Sequence, residues 1–157
     1  MMVADLLALA IEKGLMITCA ESCTGGMVAA ALTDVPGSSA MMDRGFVTYT
    51  NAAKVEMLGV SQSTLDAHGA VSEQVAEQMA RGALARSEAQ LAVSITGIAG
   101  PGGSEFKPEG RVCFGLASKD QVQVETVEFG ALGRDAVRVA ARDHALTMLM
   151  HRMKSLP

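Results

Sequence analysis

Three short apolar runs, LMITCA (15–20), GFVTYT (45–50) and QLAVSIT (90–96), are kept apart by long segments with apolar residues at helical spacing. Strands of one sheet joined through helices run parallel, because an antiparallel pair needs only a short hairpin. The C-terminal ends of the three runs then share one edge of the sheet. Those ends read CAESCTGG (19–26), VTYTNAAK (47–54) and SITGIAGPGG (94–103), and each supplies a hydroxyl and a turn residue. Open α/β sheets bind their ligands at this edge. The spacing therefore predicts one cleft assembled from three separate loops.

The remaining segments fill in an α/β fold. MMVADLLALAIEKG places Val3, Leu6, Leu7, Ala10 and Ile11 on one helical face and ends at Gly14, a suitable residue for a left-handed helix stop. Gly25-Gly26 opens a small-residue helix, MVAAALTDV, which Pro36-Gly37 stops. Asn51 reads as the N-cap of NAAKVEML, Ser61 as the cap of a short helix before Gly69, and Ser72 as the cap of EQVAEQMARGALAR. Val75, Ala76, Met79, Ala83 and Leu84 give that last helix an apolar stripe. RVCFGLAS (111–118) and QVQVETVEF (121–129) read as an antiparallel pair around Lys119-Asp120. The alternation slips between Val124 and Val127, which predicts a bulge or an early strand end. From Arg134 onward Val137, Ala141, Ala145, Met148 and Leu149 repeat at helical spacing. Helices on both faces of a mixed sheet are the expected result, and 157 residues without a linker fit a single domain, 1–157.

Composition narrows the function. Only 3% of the residues are aromatic, Trp is absent and the formal charge is −4, which disfavours a nucleic-acid platform or an anionic membrane surface. The N-terminal segment has no basic start and no apolar run reaches the ~18 residues of a membrane span, so a cytoplasmic location is expected. Three cysteines (Cys19, Cys23, Cys113) without a CxxC pair suggest neither a disulfide framework nor a zinc ribbon. No metal-ligand spacing appears, and metal-free, cofactor-free chemistry is the expectation. With 49% apolar residues, a homodimer is a reasonable assembly.

Within the expected cleft, Ser22 reads either as a turn residue or as a nucleophile. In the second reading, N–H groups near Gly25 and Gly26 hold the developing oxyanion. Cys23 is the rival nucleophile or a small buried residue. Glu21 either orients a partner or is solvated beside the helix. The histidines (His68, His144, His151) offer no base near these loops, whereas Lys54 does, provided its surroundings depress its pKa. Tyr49, the only tyrosine, either relays a proton between Ser22 and Lys54, stacks on a substrate ring or caps the core. The loop from Thr96 to Gly103 lacks the P-loop pattern but has the glycines for an anion nest. Arg134 and Arg138, one turn apart, are suited to hold a phosphate with Arg44 or Arg111, or to sit on a solvated helix face.

AESCTGG (20–26), VPGSS (35–39), GFVTYTNAAKVEMLGV (45–60), GAVSEQVAEQMARGA (69–83), SITGIAGPGG (94–103) and KPEGRV (107–112) occur in the order seen in CinA-like proteins. The chain resembles, from about residue 4 to 150, this C-terminal domain family of competence/damage-inducible protein A. The resemblance implies a three-layer α/β/α sandwich with a mixed, mainly parallel sheet. It also implies a hydrolase that converts nicotinamide mononucleotide, a small-molecule substrate, to nicotinate mononucleotide and ammonia in pyridine-nucleotide recycling. Ser22 falls on the family's nucleophile, Tyr49 and Lys54 on its catalytic partners, and Thr96 on a motif threonine. An arginine near the last helix is tied to substrate binding, a place open to Arg134 or Arg138. The other class that the resemblance leaves open is a nucleotide-binding or competence-linked interaction module without catalysis.

Overall fold

The computed structural model describes residues 2–157. In chain order it runs α1 (Met2–Lys13), β1 (Ile17–Glu21), α2 (Met27–Leu32), a 3-10 turn (Ser38–Ala40), β2 (Met42–Val47), α3 (Asn51–Leu58), α4 (Gln62–His68) and α5 (Glu73–Ala85). There follow β3 (Leu91–Gly97), β4 (Arg111–Ala117), β5 (Val122–Glu128) and α6 (Arg134–Ser155). The strands form one sheet in the order β2-β1-β3-β4-β5. β1 pairs in parallel with β2 and with β3, while β3–β4 and β4–β5 are antiparallel. The three strands joined through helices are thus parallel, as the crossover argument requires, and their C-terminal ends lie together.

The two faces of the sheet carry different side chains. Ile17, Cys19, Val93, Ile95, Phe114 and Leu116 pack against α1, α2 and α6. The opposite face offers Ala20, Ala92 and Ala117 to Leu58 of α3, Leu65 of α4 and Val75, Met79 and Ala83 of α5. Small residues let α5 approach closely: a Cβ at Gly115 would lie 2.6 Å from the Ala76 carbonyl. Ser94 Oγ uses the same proximity to donate to that carbonyl at 2.6 Å.

Sequence and structure differ locally: α2 stops at Leu32, short of the 27–35 read for it, and β2 stops at Val47, short of Thr50. α3 is capped by Thr50, whose side chain accepts from Ala53 N, and Asn51 is its first helical residue. The caps at Ser61 and Ser72 stand as read, each accepting from the N–H three residues on. Such caps are worth ~1 kcal/mol each. β2 begins at Met42, ahead of the apolar run, because an edge strand with a half-open face tolerates Asp43 and Arg44. β5 has no bulge: its pairing with β4 is continuous from Arg111↔Glu128 to Ala117↔Val122. The slip there reflects two covered faces, since Val122 joins the α5 side and Val127 the α6 side. The sheet's irregularity lies instead between β1 and β2, where Ile17 pairs with Met42 and Thr18 with Arg44.

Candidate active site

The loop after β1 is shaped by a buried carboxylate. Glu21, fully buried, turns its side chain beneath the start of α2. Its Oε1 accepts from Thr24 Oγ1 (2.6 Å), Gly26 N (3.2 Å) and Val28 N (3.0 Å), and its Oε2 from Ala29 N (3.0 Å) and Cys19 Sγ (3.6 Å). The first N–H groups of a helix have no partner within it, and Gly26, the N-cap of α2, has no side chain to offer. Glu21 does this capping from five residues upstream, where its negative charge also suits the helix dipole. It therefore neither faces substrate nor is solvated. Gly25 (φ +56°) and Gly26 (φ +108°) supply the left-handed backbone that brings the chain round.

This arrangement changes the reading of the two glycines. Gly25 N donates to Ser22 O at 3.1 Å, and Gly26 N is held by Glu21. Neither N–H is left for an oxyanion, and neither glycine lines the cleft. The N–H groups of Cys23 and Thr24, by contrast, donate to no protein acceptor among the described residues; of these two residues Cys23 lines the cleft, whereas Thr24 is fully buried and does not.

Ser22 sits at the sheet edge, its N–H bound to Ile95 O at 3.0 Å. Lys54 Nζ lies 3.0 Å from Ser22 Oγ and 3.2 Å from the Tyr49 carbonyl. Lys54 projects from the middle of α3 with only 1% of its surface exposed. Burial pushes its ammonium below the usual lysine range, opposed by the Glu105 carboxylate. A neutral Lys54 has one lone pair and two N–H groups; with one N–H on the Tyr49 carbonyl, the lone pair is free for the serine hydroxyl. Cys23 also lines the cleft, but burial pushes its thiol up to about 12, so it stays protonated at neutral pH.

Tyr49 takes part through its main chain. Its carbonyl accepts from Lys54 Nζ and lies 3.4 Å from Ser22 Oγ, whereas its hydroxyl accepts from Arg134 Nη2 at 2.7 Å. Tyr49 is 55% exposed at the cleft rim and its hydroxyl is held by Arg134, so a phenol relay between Ser22 and Lys54 has no geometric basis.

The cleft is about 300 Å³ and draws walls from all three predicted loops. Thr96 lines it, its Oγ1 donating to Ala70 O at 2.8 Å and so presenting lone pairs inward. Arg134, at the start of α6, reaches over the mouth to Gly100 O at 2.7 Å as well as to Tyr49. Arg138 does not line the cleft; its Nε and Nη2 bind the carbonyls of Cys23 (3.0 Å) and Thr24 (3.3 Å). Arg44 pairs with Asp43 and Arg111 with Glu128, both away from the cleft. His144 of α6 pairs with Glu125 of β5, and neither lines the cleft. Among the described residues, no three His, Cys, Asp or Glu side chains gather in a way that could hold a metal ion, and no helix is long and apolar enough to cross a membrane.

Two carboxylates escaped the sequence reading. Glu105 lines the cleft, and Glu109 ties its wall to α6 by accepting from Gly102 N (2.7 Å) and Gly133 N (3.1 Å). Glu109 stands in the KPEGRV motif, and its position between two strands was the only available signal.

Residues 1–153 match the family model described as the CinA C-terminal domain. The nicotinamide-nucleotide amidohydrolase PncC of Enterobacter agglomerans is 58% identical over 130 residues, 82% of this chain and 79% of that one. A CinA-like protein of Chlorobaculum tepidum is 50% identical over 153 residues; the match takes in 94% of this chain but only 36% of that longer relative. The crystal structure of a CinA superfamily protein from Klebsiella pneumoniae superposes with a TM-score of 0.94 at 34% identity, covering 99% of this chain and 97% of the other. Sequence, length of match and backbone agree, and the chain belongs to the CinA C-terminal domain family.

Proposed function

We propose that residues 1–157 act as one amidohydrolase domain that cleaves the carboxamide of nicotinamide mononucleotide to nicotinate mononucleotide and ammonia. The observation that carries the reading is the buried 3.0 Å contact between Ser22 Oγ and Lys54 Nζ at the floor of the cleft. A buried lysine beside a serine has little structural value, since burying an amine is costly. It has a clear chemical one, because the same burial lowers the pKa of the amine and so favours its neutral, basic form. The PncC relatives support the substrate class.

In the proposed sequence Lys54 accepts the Ser22 proton as Oγ attacks the amide carbon. The carbonyl oxygen becomes an oxyanion facing the free N–H group of Cys23, which lines the cleft. The Lys54 ammonium then protonates the departing nitrogen, ammonia leaves and an acyl-serine remains. Neutral again, Lys54 takes a proton from water as it attacks the ester, and returns that proton to Ser22 as nicotinate mononucleotide departs. Thr96 Oγ1 accepts from the amide nitrogen. Arg134 and the glycine-rich wall receive the phosphate end, with Tyr49 beside the ring.

Ammonia release from nicotinamide mononucleotide, nicotinamide riboside and nicotinamide, measured for the parent, Ser22→Ala and Cys23→Ala, tests this. Ser22→Ala is expected to lose turnover and keep the parent's melting temperature, with Cys23→Ala active. Turnover retained by Ser22→Ala and lost in Cys23→Ala would move the nucleophile to the thiol. Tight binding of the nucleotide without product would make the site a binding module.

A further inference from the structure

We infer that Arg138 is a positioning residue that aims the oxyanion donor, and not a substrate ligand; this rests on the serine mechanism proposed above. The loop's polar groups can be accounted for one by one. Glu21 takes the N–H groups of Gly26, Val28 and Ala29, and Ser22 O takes that of Gly25. Arg138 takes the carbonyls of Cys23 and Thr24. What remains unpartnered is the pair of N–H groups directly after the nucleophile, on Cys23 and Thr24.

In a trans peptide the C=O and the next N–H point in opposite directions. Arg138 Nε, by holding Cys23 O at 3.0 Å, therefore turns Thr24 N–H away from itself. The next peptide behaves as this rule requires: Arg138 Nη2 holds Thr24 O at 3.3 Å, and Gly25 N–H points back to Ser22 O at 3.1 Å. Arg138 thus fixes two successive peptide planes and, through Gly25 N–H on Ser22 O, the Ser22–Cys23 peptide as well, so that the N–H of the cleft-lining Cys23 points away from Ser22 O as the oxyanion donor. A guanidinium suits this job because its forked donors are rigid and always charged. Its seat depends on Gly25, since a Cβ there would lie 3.3 Å from Arg138 Nη2. Arg134, one turn earlier, faces the cleft instead. The two arginines that look equivalent in the sequence have different work.

Steady-state kinetics on nicotinamide mononucleotide with Arg138→Ala and Arg138→Lys test the assignment. Misaiming one oxyanion donor costs about 10²- to 10³-fold in kcat. Arg138→Ala is expected to lose kcat on that scale with KM close to the parent's, and added methylguanidinium to restore part of the loss. Arg138→Lys, which keeps a donor and the charge, is expected to lie between the two and serves alone if the alanine variant does not fold. KM raised with kcat kept, kcat unchanged, or a kcat loss that methylguanidinium does not relieve would each overturn the inference. Ser22→Ala in the same assay separates the two claims. If it is inactive while Arg138 variants keep kcat, only the role of Arg138 fails; if it is active, the serine mechanism fails and this inference with it.

Discussion

Replacing Glu21 by glutamine keeps the shape of the side chain and removes the charge and one acceptor. In the native loop one oxygen serves Thr24 Oγ1, Gly26 N and Val28 N, and the other serves Ala29 N and Cys19 Sγ. The better of the two amide orientations puts the new NH2 group at the Ala29 side, where it opposes that N–H. The Ala29 N–H is then left without an acceptor, at about 1–3 kcal/mol, the Cys19 thiol turns to accept from the new NH2 group, and three charge-assisted bonds become neutral ones, each weaker by about 1 kcal/mol. Relief from burying a charge offsets part of this, leaving a net loss of roughly 2–4 kcal/mol. For a chain of this size that is a fall of roughly 4–16 °C in Tm. Thermal unfolding followed by circular dichroism measures it, with ammonia release assayed well below the transition. Because the same carboxylate sets the path of the loop carrying Ser22, kcat is expected to fall as well. A glutamine variant that melts with the parent and keeps its kcat would refute the capping role, and with it the account of how the loop is held.

Other substitutions separate the remaining roles. Lys54→Met is expected to abolish ammonia release while raising Tm at neutral pH. Burial holds the Lys54 pKa below the usual lysine value, so between the two the unfolded chain binds a proton that the folded chain does not. Parent stability therefore climbs with pH across that window, and the advantage of the methionine variant in melts at successive pH values should shrink toward the ordinary lysine range. For the same reason parent kcat is expected to rise with pH along a limb lying below that range. Tyr49→Phe keeps the carbonyl that orients Lys54 and loses only the bond from Arg134, so kcat should hold and KM rise; a large loss of kcat would restore the phenol relay. Arg134→Ala is expected to raise KM for the nucleotide far more than for nicotinamide, as initial-rate measurements on both amides would show.

The sequence alone carried the architecture, because helix-length spacers between apolar runs force parallel strands and so bring Ser22, Tyr49, Lys54 and Thr96 to one edge. Caps at Ser61 and Ser72 were legible for the same local reason: a hydroxyl three residues ahead of an N–H is a contact within one turn. Edge strand β2 was legible only in part, since a half-open strand carries Asp43 and Arg44 without penalty. What the tertiary structure decided were the partners, which depend on direction and depth. It buried Glu21 as a cap, used up the N–H groups of Gly25 and Gly26, and sent the Tyr49 hydroxyl to Arg134 while its carbonyl faced Lys54. It also turned Arg138 onto the loop and Arg134 onto the cleft, though both stand on the same helix one turn apart. Spacing along a chain says which residues can meet, but which atom of each is free once the backbone has taken its own hydrogen bonds is settled only by the packed molecule.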